Sequence, residues 1–224
     1  MKLAIFDIDG TLVDSQAMIG AAIHAAFTAE HLAVPDRKTA MSIVGLSLLD
    51  AMRALAPAVD AAGHARLAAA YKQAFWELRA ANAHPEDLFA GAHDLLAKLR
   101  ARDDVVLGIA TGKSRRGVTH LIDKHGYDGW FATIQTSDGH PSKPHPSMIV
   151  TALAETGVPP AAAIMIGDTS FDIEMARAAG VGAVGVAWGN HAASELERAG
   201  AHTIANDFNE LEEQLESLWQ ERMR

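Results

Sequence analysis

The spacing of apolar residues changes character twice along this chain. Leu3-Ala4-Ile5-Phe6 is a continuous apolar run, as expected for a short strand buried on both faces, and Asp7 stands where that strand would emerge. From Gln16 to about Ala83 no run reads as a strand, and Ala, Leu and Met recur at helical spacing. Ile19, Ile23, Ala26 and Phe27 stripe a first helix, Val34-Pro35-Asp36 closes it and opens the next, and Val44-Gly45-Leu46-Ser47 makes a turn before a helix over Leu48 to Leu55. Tyr71, Phe75, Trp76 and Leu78 mark a long last helix up to Asn82, and this aromatic stripe reads as core packing. Strands and helices then alternate. Helices are expected over Ala92 to Arg102, Ser114 to His125, Pro146 to Glu155, Phe171 to Ala179, Ala192 to Ala199 and Asn209 to Glu221. Between them lie strands at Val105 to Ala110, Ala132 to Gln135, Ala163 to Ile166, Val181 to Ala187 and Thr203 to Ala205. Repeated strand-helix units predict an α/β fold, a doubly wound, Rossmann-like parallel sheet, with an all-helical segment inserted after the first strand.

Composition narrows the function. The 224 residues are 49% hydrophobic and 21% charged, enough for one large domain or a core with a smaller insert. There is no cysteine, so disulfides and thiolate metal sites are excluded. The amino terminus MKLAIFDIDG runs straight into acidic residues without a long apolar segment, which predicts a cytoplasmic protein. A net charge of -9 with no basic run argues against nucleic acid or an anionic membrane as partner. An anionic substrate must then be held by local cations.

Candidate chemistry gathers where strands end. In an open parallel sheet ligands bind at the carboxyl ends of the strands, which aims Asp7 and Asp9 at the site, with Gly10 permitting a sharp turn and Thr11 adding a hydroxyl. Either Asp alone would read as a turn residue or a helix cap, but the whole string through Asp14-Ser15 is more than one turn needs. Thr111-Gly112 ends the second core strand, where a hydroxyl beside free backbone amides can hold phosphate oxygens. Lys143, held extended before Pro144, could neutralise carboxylates and phosphate together. Gly167-Asp168-Thr169-Ser170-Phe171-Asp172 puts one acid at a strand end and another at a helix start.

The string Asp7, Asp9, Gly10, Thr11, Asp14, Ser15 resembles the first motif of the haloacid-dehalogenase superfamily, in its phosphatase and phosphomutase branch. Thr111, Lys143 and Asp168 to Asp172 match its later motifs in order, so the resemblance spans essentially the whole chain and is similar in particular to the phosphoglycolate phosphatase-like group. One departure is Ala90, where many of these phosphatases carry proline before the glycine. The resemblance implies a catalytic core of residues 1–15 and 86–224, with residues 16–85 as a helical cap. The linkers would be Val13 to Gln16 and His84 to Asp87. It also implies Asp7 as nucleophile, Asp9 as general acid and then base, and Lys143 as the catalytic cation. Gly10, Thr111, Gly112 and Lys143 would bind phosphate. Mg²⁺ would be held by Asp7, the Asp9 backbone carbonyl and Asp168, with Asp172 behind them. The expected reaction is Mg²⁺-dependent hydrolysis of a small phosphorylated metabolite, phosphoglycolate-like, through an aspartyl phosphate, by a monomer or homodimer. A sugar phosphomutase, a pyrophosphate or nucleotide phosphohydrolase and a non-catalytic phosphate-binding module are the alternatives. The cap carries six basic residues (Arg37, Lys38, Arg53, Arg66, Lys72, Arg79) against five acidic ones (Glu30, Asp36, Asp50, Asp60, Glu77), so substrate choice is expected to need specific donors there. Gly45, Ser47 and Arg53 are the candidates.

Overall fold

The computed structural model describes all residues from Met1 to Arg224. Its centre is β1 (Lys2–Phe6), whose residues Leu3 to Phe6 are fully buried. A strand covered on both faces can be apolar at every position, which is why this run lacks alternation. On one side β1 pairs in parallel with β4 (Val105–Thr111), and on the other with β6 (Ala163–Gly167). β5 (Phe131–Thr136) lies beyond β4, and β7 (Gly182–Val186) and β8 (Thr203–Ala205) lie beyond β6, giving the order β5-β4-β1-β6-β7-β8, all parallel. Alternate residues of the strands feed two apolar layers. Phe6, Ile109, Ile166 and Val184 pack on one face with Trp219, and Leu3, Ile5, Met165 and Ala183 pack on the other. The first layer is covered by α5 (Ala92–Arg100), α6 (Arg115–His125) and α10 (Phe208–Arg222). The second is covered by α7 (Ser147–Thr156), α8 (Ser170–Ala178) and α9 (Ala193–Ala199).

The insert leaves the core through β2 (Val13–Asp14) and returns through β3 (Asp87–Leu88), which pair with each other antiparallel. Between them lie α1 (Gln16–Ala29), α2 (Arg37–Met41), α3 (Leu48–Leu55) and α4 (Ala61–Ala80). Asp36 and Asp60 start α2 and α4 by accepting hydrogen bonds from Thr39 N and Gly63 N, both at 2.8 Å, so each helix begins at an acid able to satisfy an otherwise unpaired amide. Ile19, Ile23, Phe27, Met52 and Leu67 form an apolar cluster separate from the two layers of the sheet. The aromatic stripe of α4 is core packing only in part: Phe75 is buried in this cluster and Tyr71 and Leu78 pack against it, but the stripe also has a second surface. Tyr71, Phe75 and Trp76 together line the cavity between insert and sheet. Amphipathic spacing identifies an apolar face but not whether a neighbouring helix or a cavity covers it.

Candidate active site

β1 runs between β4 and β6, so successive crossovers leave it in opposite directions and a crevice opens beyond its carboxyl end. That topology brings Asp7, Thr111 and Asp168 together from three adjacent strand ends. Lys143 enters from the segment after β5, and Asp172 from the first turn of α8. Asp7, Lys143, Asp168 and Asp172 are all buried.

Lys143 Nζ donates to Asp172 Oδ1 at 2.5 Å and lies 3.0 Å from Asp7 Oδ1. Its aligned hydrogen bond goes to Asp172, and neither carboxylate oxygen of Asp7 receives one although both are buried. Asp168 is held more fully: Thr11 Oγ1 donates to its Oδ1 at 2.9 Å, and Asn190 N and Nδ2 each donate to its Oδ2 at 2.8 Å. Asp172 uses its other oxygen to accept from Thr169 N and Oγ1 at 3.1 and 2.7 Å. It therefore starts α8 and holds Lys143 at once. Gly10 adopts φ +90, and a Cβ there would lie 2.2 Å from Asp168 Oδ2. Both its backbone sign and the lack of a side chain are thus required.

Asp7, Asp168 and Asp172 present carboxylate oxygens within 4.8 Å of one another. Burial raises the Asp7 carboxyl, Lys143 offsets part of this, and Asp172 and Asp9 add to it. Burial and the Asp7 and Asp172 charges hold Asp168 above the ordinary carboxylate range as well. For Lys143 burial acts downward, but Asp172 and Asp7 outweigh it and keep the ammonium charged. One ammonium against three buried carboxylates leaves negative charge uncompensated, and the oxygens of Asp7 keep hydrogen-bonding capacity that no neighbour uses. An all-oxygen donor set of this kind fits a hard divalent cation.

Asp9 faces a cavity of about 180 Å³ between sheet and insert, which Asp7, Thr111, Gly112 and Gly45 also line. Thr111 Oγ1 accepts from Lys113 N at 3.2 Å, leaving its hydroxyl proton free to be donated. Gly112 lies directly beneath the insert: a Cβ there would stand 2.5 Å from the Gly45 carbonyl oxygen and 2.6 Å from that of Leu46. Ser47 N donates to Ser142 Oγ at 2.8 Å, tying the start of α3 to the segment that carries Lys143.

Of the three residues expected to select substrate, only Gly45 lines the cavity. Ser47 Oγ donates to Asp50 Oδ2 at 2.8 Å, and Arg53 donates to Asp50 Oδ1 at 2.8 Å with its side chain 55% exposed. Position six residues along a helix does not fix which way a long side chain points, and Asp50 draws both away from the cavity. The cations at the cavity are instead Lys72, Arg79 and Lys113. Lys113 Nζ donates to Asp9 Oδ1 and Oδ2 at 2.7 and 3.0 Å, a contact that sequence reasoning missed, though Lys113 follows Thr111-Gly112 directly. Asn190 was missed too. Its signal was a polar residue just past the carboxyl end of β7.

The chain as a whole is similar to known proteins. The model of the haloacid dehalogenase-like hydrolase family matches residues 4–186. The chain is 33% identical over 214 residues to "Probable phosphatase IndB" of Dickeya dadantii, covering 93% of this chain and 91% of that one. It is 26% identical over 220 residues to a phosphoglycolate phosphatase of Photobacterium profundum, covering 94% of both. A hydrolase from Pseudomonas syringae has the same fold, with a TM-score of 0.85 at 27% identity over 97% of this chain and 99% of the other. With a family match that begins inside β1 and runs to the end of β7, the chain belongs to the haloacid dehalogenase-like hydrolases, among the phosphatases of that superfamily.

Proposed function

We propose that this chain hydrolyses a small phosphomonoester with Mg²⁺ as cofactor, using Asp7 as the nucleophile. The observation that carries the reading is Asp7 itself, a buried carboxylate with no hydrogen bond to either oxygen, facing a cavity and lying 3.0 Å from a buried ammonium. A buried carboxylate whose one polar neighbour is the Lys143 ammonium forgoes hydrogen bonds that a purely structural residue would take from its surroundings. Asp7 and Asp168, with the backbone carbonyl of Asp9, would hold the cation, which supplies charge neutralisation for the phosphoryl oxygens.

The remaining steps belong to the chain's own residues. Thr111 Oγ1, the amides around Gly112 and Lys143 Nζ hold the phosphoryl oxygens, and Lys143 offsets the repulsion between that group and Asp7. Asp7 attacks phosphorus in line as the bond to the leaving alcohol breaks, giving an aspartyl phosphate. Asp9 donates a proton to the departing oxygen, then takes one from the water that hydrolyses the intermediate. Asp172 keeps Lys143 in place.

The segment 16–85 acts as a cap domain, excluding bulk water and admitting the leaving group. Phosphoglycolate is the first substrate to assay, because one relative carries that name. Lys72, exposed on α4 at the cavity, is the cation open to its carboxylate, in place of Arg53. No helix is long and apolar enough to cross a membrane, and a cytoplasmic location fits small metabolites as substrates. The test is release of inorganic phosphate from a panel of phosphorylated metabolites with Mg²⁺, together with borohydride trapping and mass spectrometry of the phosphorylated residue. A label on Asp7 is expected, and turnover without any label there would overturn the reading.

A further inference from the structure

Asp9 is the end of a buried line of alternating charge that crosses from the sheet into the insert. Lys113 Nζ contacts both oxygens of Asp9 and lies 3.3 Å from Glu86 Oε1. Glu86 Oε2 in turn accepts from Arg79 Nε at 2.8 Å and from Arg79 Nη2. The side chains of Lys113, Glu86 and Arg79 are 8%, 3% and 10% exposed, so water does little to screen them. Burial acts to lower the Lys113 ammonium, but Asp9 and Glu86 outweigh it and hold it raised. The members come from three places: Asp9 and Lys113 from adjacent strand ends, Glu86 from the chain returning out of the insert, and Arg79 from the last turn of α4.

The packing around Lys113 is built for this pose. A Cβ on Gly117 would stand 2.8 Å from Lys113 Cγ and 3.2 Å from its Cδ, so α6 leaves a slot for the stem. The Phe75 ring lies close to both cations, 5.4 Å from Lys113 Nζ and 4.7 Å from the Arg79 guanidinium. An ordinary solvated lysine would need neither the slot nor the ring.

We propose that Lys113 is a positioning residue for the Asp9 carboxyl, and that Glu86 and Arg79 make its hold on Asp9 depend on the seating of the helical insert. The inference rests on the reading of Asp9 as proton donor. In the first step the phosphorus bond to the leaving oxygen breaks, the bond to Asp7 forms, and the proton passes from one Asp9 oxygen to the departing oxygen. Lys113 transfers nothing: of the two Asp9 oxygens it contacts, it releases the one that carries the proton and keeps the other, and thereby aims the first. Arg79 leaves the line if the insert lifts, so Asp9 is aligned only while the cavity is covered.

Leaving groups separate positioning from mere stability. p-Nitrophenoxide departs without much help, whereas the alkoxide of benzyl phosphate needs a proton. With Mg²⁺-loaded full-length protein, Lys113→Met is expected to lower kcat/KM for benzyl phosphate by roughly 10–100-fold and for p-nitrophenyl phosphate far less, the same selectivity as Asp9→Asn. In Asp9→Asn, adding Lys113→Met should cost little more, because the group it positions is already gone. Glu86→Gln and Arg79→Met should show the same selectivity at smaller size, and Glu86→Gln, which keeps side-chain volume, serves if Lys113→Met does not fold. Equal losses on both esters, or additive losses in the double variant, with Asp9→Asn itself selective, would overturn the proposal. An Asp9→Asn variant that spares benzyl phosphate would instead overturn the reading of Asp9.

Discussion

Asp7 and Asp9 stand two residues apart and meet opposite surroundings. Asp7 is buried with bare oxygens beside Lys143, while both oxygens of Asp9 are taken by Lys113 at the cavity wall. As the proposed nucleophile and metal ligand, Asp7 has no substitute: Asp7→Asn is expected to cut turnover by roughly 10⁴-fold or more with the fold unchanged, measured as phosphate release alongside circular dichroism. A fully active Asp7→Asn enzyme would contradict the mechanism. Asp9→Asn should keep metal affinity, since only its backbone carbonyl is proposed as a ligand, while losing about 10²–10⁴-fold in kcat. At this scale the sequence is most legible where a residue's position is set by the strand it ends, and the structure does bring Asp7, Thr111 and Asp168 together from such strand ends. It is least legible where a long side chain chooses among partners distant in sequence. Lys113 turned to Asp9 for reasons that exist only in the fold, whereas Arg53 pairs with Asp50 one helical turn before it, a contact the spacing itself offered.

Elements were readable to within a residue or two at most ends, because buried strands, Asp caps and terminal glycines each leave a local chemical signal. What α4 packs against was not. Its aromatic face meets the sheet domain, with the Arg116 guanidinium of α6 3.8 Å from the centre of the Trp76 ring. The seam between insert and sheet is tight at Gly112, where backbone faces backbone. Gly112→Ala would drive a methyl group against the carbonyls of Gly45 and Leu46 at 2.5 and 2.6 Å, and carbonyl oxygens of a packed turn cannot rotate aside as a flexible side chain can. The insert must shift to accommodate it. kcat/KM for p-nitrophenyl phosphate is expected to fall roughly tenfold or more. Gly139→Ala, with nothing within 4 Å of its Cβ, is the control that should leave activity unchanged. Matching activities in the two variants would mean that the turn at Gly45 is free to move and that its close seating is not required.

For the molecule as a whole, the balance of charge at the site governs stability as well as chemistry. Three buried carboxylates share one buried ammonium, on a chain whose net charge is already -9, so without a cation the folded state carries repulsion that the unfolded chain relieves. The direction with pH follows from the raised Asp7 and Asp168 carboxyls. A carboxyl held higher in the folded state binds its proton more tightly there, so its contribution to stability falls as pH rises above the ordinary carboxylate value of 3.8 toward neutrality and beyond. Asp168→Asn removes one of these charges and keeps the shape. The Asn carbonyl can accept from Asn190, and its amide can donate to the hydroxyl oxygen of Thr11. In metal-free buffer Asp168→Asn is therefore expected to melt at or above the native chain at pH 8, with the gap closing as pH is lowered toward 5. Mg²⁺ should reverse the order. At 100 times its dissociation constant a ligand specific to the folded state adds about 2.7 kcal/mol, a rise of roughly 5–11 °C in Tm for a chain of this size, and the variant has lost a proposed ligand. Thermal melts of both proteins across pH, with chelator and with Mg²⁺, measure all of this without reference to activity. A native Tm indifferent to Mg²⁺, or an Asp168→Asn variant that gains as much from it, would show that this cluster is not where the cation binds.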